Sequence, residues 1–225
     1  MPQRPKKSAA DRIPDRPTLK TARAAARDCR ACDLWKTGTQ TVFGEGPGRA
    51  RLMLVGEQPG DQEDLMGHPF VGPAGRLLDE ALTAAGIARD DVYLTNVVKH
   101  FKWEPRGKRR LHKTPAQREF DACQVWLDKE IATLSPRVIV ALGAKALVAI
   151  TGRRITIAVG RESTLQRHDG TRVIATFHPS AILRAPDAER RAELRAILRD
   201  DLATAAKLAR RDVARPATDQ RVAAR

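Results

Sequence analysis

The sequence predicts an α/β protein: a single three-layer α/β/α domain on a central, mostly parallel four-stranded sheet. Three observations carry that expectation. Short apolar runs alternate with segments of helical periodicity, the rhythm of strand–helix–strand units. The runs are apolar almost throughout, so both faces of the sheet must be covered. Each run is followed by a stretch rich in Gly, His, Asn or cations, and sheets of this kind bind ligands beyond the carboxyl ends of their strands.

The elements follow in order. Residues 1–18 are Pro- and charge-rich and read as a disordered basic tail. The domain spans 19–210, and 211–225 reads as a second basic, disordered tail. Leu19 to Cys29 is an Ala-rich helix. Arg51 to Val55 is an apolar run between glycines, hence a buried strand. Pro73 to Ala85 is a helix, with Pro near its start, Leu77, Leu78, Ala81 and Leu82 on one face, and Gly86 as its stop. Val92 to Thr95 is the second strand. Thr114 and Pro115 open a helix running to about Leu134, Thr as its cap and Pro in its first turn. Arg137 to Leu142 is the third strand, Gly143 leads into a helix to Ile150, and Arg172 to Phe177 is the fourth strand. Asp187 to about Arg210 is a long amphipathic helix with Leu194, Ile197, Leu198 and Leu202 at helical spacing.

Composition narrows the partners. The 225 residues suffice for one sizeable core, and the formal net charge is +14. Such a balance favours a polyanion, although abundant Arg and Ala throughout would give it too. No apolar run is long enough to cross a bilayer, and the charged N-terminus lacks the apolar core of a signal peptide. The expectation is a cytoplasmic protein. Three cysteines make no disulfide framework there, so they are inert core residues or metal ligands.

The strand-end motifs carry the chemistry. In Gly56-Glu57-Gln58-Pro59-Gly60-Asp61, glycines and proline fix a tight backbone path, and Glu57, Gln58 and Asp61 offer carboxylates and an amide. A carboxylate there can face a developing oxocarbenium charge or hold a water. In His178-Pro179-Ser180, a neutral His can donate to an oxygen gaining negative charge, and Ser180 suits a phosphate. Asn96 can read the edge of a pyrimidine, and Phe70 can stack on a base or simply fill the core. Between the second strand and the next helix lies an irregular loop, Gly107 to Lys113, which sets His112 among Lys108, Arg109, Arg110 and Lys113. Those cations should keep the imidazole neutral or pair with phosphates. Cys29-Arg30-Ala31-Cys32 with Cys123 is open to redox, zinc or iron–sulfur chemistry, and a fourth ligand must be His or exogenous; His100 is near in sequence to the site.

These motifs, with Pro69-Phe70-Val71-Gly72-Pro73-Ala74-Gly75 and Thr95-Asn96-Val97-Val98-Lys99, resemble the iron–sulfur, family 4-like branch of the uracil-DNA glycosylase superfamily. The resemblance runs from about Ala25 to Ala206. Within that branch, Lys108-Arg109-Arg110-Leu111-His112 and the Gln of the first motif are similar to the UdgX type, which excises uracil and stays covalently on the DNA. The resemblance implies a uracil-DNA glycosylase fold, uracil-containing DNA as substrate (single- or double-stranded) and a monomer. By the same resemblance His112 attacks the sugar C1′ after uracil leaves. Glu57, Gln58 and Asp61 form the catalytic and DNA-facing loop, and His178 supports the leaving base. Gly56, Phe70 and Asn96 hold the uracil. Lys108, Arg109, Arg110, Lys113, Ser180 and Arg184 meet the DNA. Cys29, Cys32 and Cys123 bind a [4Fe–4S] cluster. His100 stands where relatives of the branch have Cys, which makes it the fourth ligand. Ordinary turnover glycosylases and non-enzymatic iron–sulfur DNA-binding proteins are the competing classes. The set of Glu57, Asn96 and His178 speaks against the second, because binding alone does not need it.

Overall fold

A computed structural model of the chain describes residues 8–210; the first seven residues and the expected C-terminal tail lie outside the described residues. Order begins sooner than composition suggested. Ala10–Arg12 form a 3-10 turn fastened by Ser8 and Asp11, and Ala9 is buried in the core with Ile13 packed beside it. A few apolar contacts are enough to fix a stretch whose average composition reads as a tail.

Helix α1 is Leu19–Ala26, opened by Thr18, whose hydroxyl accepts from the amide of Thr21. It stops short of the expected Cys29 because Thr41 takes up the carbonyls at its end, those of Ala26 and Arg27. Strand β1 is Leu52–Gly56, buried throughout, followed by a short helix α2, Asp61–Met66, and by α3, Pro73–Ala84, on a Gly72–Pro73 start. Strand β2 is Val92–Asn96.

The expected irregular loop is instead a β-hairpin: β3, Trp103–Arg106, and β4, Arg109–His112, paired antiparallel through the turn Gly107–Lys108. Gly107 sits at φ +58°, the positive φ that a two-residue hairpin turn demands. Its strands read Trp-Glu-Pro-Arg and Arg-Arg-Leu-His, with no period-2 apolar pattern, so sequence periodicity had nothing to report.

Helix α4, Gln117–Leu134, also begins later than expected. Neither Thr114 nor Pro115 starts it; Glu119 reaches back from the first turn to accept from the amide of Ala116 at 2.6 Å. The remaining elements are β5 (Val138–Leu142), α5 (Ala144–Thr151), α6 (Ile157–Arg161), β6 (Leu165–Gln166), β7 (Arg172–Thr176), α7 (Pro179–Leu183) and α8 (Ala188–Arg210).

Among the described residues the main sheet runs β2-β1-β5-β7-β6. The four expected strands are parallel, and β6 adds a fifth, antiparallel to β7. Two residues are too few to leave a periodic signal. One face packs Met53, Val55, Ile139 and Ala141 against α1, α4 and α5; the other packs Leu52, Leu54, Val140 and Leu142 against α3, α7 and α8. The result is the expected three-layer arrangement. Register then does something useful for the site. Gly56 lies opposite Asn96, and both fall on the α3 side of the carboxyl edge.

A buried ion pair braces this edge. Lys99 and Glu130 meet at 2.5 Å with essentially no exposure. Lys99 also donates to the Asn96 carbonyl at 2.6 Å, while Glu130 accepts from Tyr93, Thr95 and the amide of Gly44. Every lone pair and proton has a partner, which is the condition for tolerating such a pair in a core.

Candidate active site

The site is assembled at the carboxyl ends of β1, β2 and β7, with the hairpin leaning over it. Its floor is Gly56. A Cβ there would fall 2.3 Å from Asn96 Oδ1 and 2.8 Å from Phe70 Cζ, so only glycine lets those two groups close in. Asn96 is 2 % exposed, and its Oδ1 is buried without a hydrogen-bond partner. An orphaned acceptor costs roughly 1–3 kcal/mol, so an Asn held this way is waiting for a donor.

Phe70 is kept in place at a cost in backbone conformation. It has φ +56°, unusual for a non-glycine residue. Its carbonyl accepts from Arg89, and a Cβ on Gly75 would meet the same carbonyl at 2.0 Å. Strain imposed by surrounding structure is a common mark of a functional position. Glu63, which the sequence reading passed over, ties this loop to the first motif: one carboxylate oxygen accepts from Gly60 and the other from Gly72. Its place three residues after Gly60, where helix-capping acids occur, was the available signal.

Glu57 is half-buried with Oε1 unpaired. Burial raises its pKa, and the charges of Lys145 and Arg184 offset only part of that rise. Lys145 was not among the expected site residues, although it follows Gly143 at the end of β5.

His178 begins α7. Its Nδ1 accepts from the amide of Ser180 at 3.1 Å, so the ring proton sits on Nε2, which is left to donate. Burial, then Arg184, then His112 lower its pKa to about 4, which keeps the ring neutral. Ser180 has a nearer partner than a phosphate: its hydroxyl lies 2.8 Å from the same Nδ1 and helps to orient the imidazole. The Phe70 and His178 rings stand 6.2 Å apart at 33°.

His112 ends β4, beside Phe101 at 6.2 Å between ring centroids. Its pKa is lowered, first by partial burial and then by the Arg184 charge. The ring keeps substantial exposure, so solvent screens both effects. This differs from the expectation that the hairpin's own cations hold the ring neutral. Arg110 is matched by Asp61 at 2.5 Å and by buried Asp64 at 2.7 Å, and Lys113 is matched by Glu104 at 2.8 Å. Lys108 and Arg109 are exposed around the turn. The charge common to Glu57, His112 and His178 belongs to Arg184, the residue that closes α7.

Two other expected residues act through the hairpin. Asp61 is the Arg110 partner just named. Gln58 is buried, and its amide spans the hairpin base, donating toward the carbonyls of Lys102 and Lys113 at 3.2 Å and accepting from the amide of Lys102 at 2.9 Å.

The three cysteines lie near one another, Cys123 on the first half of α4 and Cys29 and Cys32 after α1. Cys29 and Cys123 are buried, and the charges of Cys29 and Cys32 bear on Cys123. Two N–H groups already point at sulfur: Trp126 Nε1 at Cys29 (3.3 Å) and the Lys99 amide at Cys123 (3.2 Å). Unmetallated, the buried Cys123 thiol is pushed up to about 12 by desolvation. His100 is buried and lowered to about 4, also chiefly by desolvation. The Thr41 hydroxyl is committed to the α1 carbonyls, so His100 donates Nε2–H to Thr41 Oγ1 at 3.0 Å and keeps its lone pair on Nδ1. Among the described residues no three His, Cys, Asp or Glu side chains come together around a single ion. Three thiols, two of them already met by N–H groups, are donors of the kind an iron–sulfur group takes.

A parallel sheet carrying an unpaired amide, a half-buried carboxylate and a neutral, proton-donating imidazole around one glycine floor has the parts of a base-excising enzyme. The family model of the uracil DNA glycosylase superfamily matches residues 43–201. A type-4 uracil-DNA glycosylase of Thermotoga maritima is 43 % identical over 177 residues, 78 % of this chain and 86 % of that protein. Type-4 enzymes of Pyrobaculum aerophilum (42 % identical, 71 % of this chain, 82 % of the relative) and Archaeoglobus fulgidus (39 %, 70 %, 79 %) are also similar. The chain belongs to the uracil-DNA glycosylase superfamily. Among the described residues no helix is long and apolar enough to cross a membrane.

Proposed function

We propose that this uracil-DNA glycosylase excises uracil and is then captured covalently on the sugar through His112, the behaviour of the UdgX type. What supports the reading is that His112, His178 and Glu57 all lie within reach of one cation, Arg184, so a nucleophile, a proton donor and a carboxylate share a single site.

The steps follow from the side chains. An extruded uracil meets Phe70 and Gly56, and the Asn96 amide pairs with its polar edge, which satisfies the orphaned Oδ1. As the bond from C1′ to the base breaks, its electron pair goes to uracil, and His178 Nε2–H donates to the oxygen that gains the charge. The sugar becomes an oxocarbenium ion, and the Glu57 carboxylate opposes its positive charge. The His112 lone pair then bonds to C1′, and the other ring nitrogen releases its proton to solvent. Lys108, Arg109, Lys113 and Arg184 meet phosphates, whereas Arg110 and Ser180 position their neighbours.

Cys29, Cys32 and Cys123, with His100 as the fourth ligand, hold a [4Fe–4S] cluster in this reading. Bound there, the group ties the N-terminal segment to the main domain. Purified protein should be brown and contain iron, and zinc in place of iron would refute the assignment. The enzyme works on single- and double-stranded DNA as a cytoplasmic monomer.

The central test uses a labelled uracil-containing oligonucleotide. Wild type should give a protein–DNA band that survives heat and SDS. His112→Ala should lose the band while still releasing uracil, because bond breaking precedes capture and water takes the vacated place. A surviving band in His112→Ala would move the nucleophile elsewhere; its absence in wild type would leave an ordinary turnover glycosylase.

A further inference from the structure

Trp103 was not among the expected site residues, yet it is the direct cross-strand partner of His112 in the hairpin. Its indole Nε1 donates to the main-chain carbonyl of Thr37 at 2.9 Å. Thr37 ends the 3-10 turn Asp33–Lys36, and that turn starts at Cys32. A continuous path therefore runs from Cys32 through one turn to Thr37, across a hydrogen bond to Trp103, and across the hairpin to His112. The indole also carries the Arg110 guanidinium at 5.5 Å, and the same guanidinium covers Phe101, the ring beside His112.

An isolated two-stranded ribbon is marginally stable in water, so its orientation is set by such outside ties. Paired residues in an antiparallel ribbon have Cβ atoms about 5 Å apart. Fixing one of the pair fixes the other.

We propose that Trp103 is a positioning residue for His112, making the aim of the nucleophile depend on the segment that follows Cys32. The inference rests on the reading of His112 as the nucleophile. Water competes for the same oxocarbenium carbon, and a displacement of about 1 Å is enough to cost a positioned group much of its advantage. Loosening Trp103 therefore shifts the outcome from captured DNA toward a free abasic site.

The experiment measures adduct formed per uracil released, together with hydrogen exchange at the Lys113 amide, which the Lys102 carbonyl holds at 2.9 Å. Both products draw on the same excision event, so a general loss of active protein cannot move their ratio. Trp103→Phe keeps an aromatic ring for the Arg110 guanidinium but removes the indole N–H, together with part of the ring surface. It should lower adduct per uracil by about fivefold or more and speed Lys113 exchange by about tenfold. Cys32→Ser should speed the same exchange, and the double variant should go no further than the faster single one, since both act on one path. Adduct and uracil falling in equal proportion, unchanged exchange, or fully additive exchange effects would each overturn the proposal. If wild type itself forms no adduct, the capture reading fails separately, and Lys113 exchange alone then decides whether Trp103 ties the hairpin down.

Discussion

The Gln58 side chain reaches the strand of His112 through the backbone: it holds the carbonyl of Lys113, the residue directly after His112, at 3.2 Å. The first motif thus carries Glu57 at the carboxyl edge of the sheet and, one residue later, anchors the hairpin that bears His112. This gives a clear expectation for Gln58→Ala. It removes three part-buried hydrogen bonds across the hairpin base and takes from the Lys102 amide and the Lys113 carbonyl the partner that Gln58 supplies. Thermal denaturation should show a loss of roughly 2–4 kcal/mol, and covalent capture should fall more than uracil release does. A drop in uracil release alone would return Gln58 to direct catalysis.

Asn96→Leu should separate stability from function. The orphaned Oδ1 is a cost in the free protein, so an apolar side chain of similar size should hold the melting temperature or raise it. Uracil release should fall by the equivalent of about 1–3 kcal/mol. A variant that is both destabilised and fully active would contradict the assignment of Asn96 to the base edge.

The Lys99–Glu130 pair should tolerate little. Glu130→Gln leaves an ammonium group buried with only neutral partners, and breaking such a pair costs about 3–5 kcal/mol. Urea titration of the two proteins checks this. Because Lys99 also holds the Asn96 carbonyl, the variant that remains folded should bind uracil-containing DNA less well.

His178 sets a pH dependence whose sign can be worked out. Its folded pKa, about 4, lies below the ordinary 6.5. Between those values the unfolded chain binds a proton that the folded protein refuses, so this histidine's contribution is complete above about pH 6.5 and is lost as pH falls toward 4. Glu57, shifted upward, works in the opposite direction. Stability measured from pH 7 to pH 4 should therefore fall more steeply for wild type than for His178→Gln. Parallel curves would mean that the imidazole is not held neutral in the folded protein.

Much of the molecule was readable from residue order. The strands β1, β2, β5 and β7 announce themselves as short, mainly apolar runs because a strand covered on both faces buries most of its side chains. Their polar termini marked Glu57, Asn96 and His178, and the fold brings all three to one edge, since parallel strands put all their carboxyl ends together. Tertiary structure alone decided what several polar side chains do there. Nothing local to Gln58, Arg110 or Ser180 says that they are spent on the hairpin base, on Asp61 and Asp64, or on the His178 ring, because those partners arrive from distant segments or by a turn of the chain. The hairpin was hidden for the same reason. Its strands are fixed by Gln58, Thr37 and Asp64 from outside, so they need no apolar alternation of their own, and periodicity can only report burial that a segment achieves along its own length.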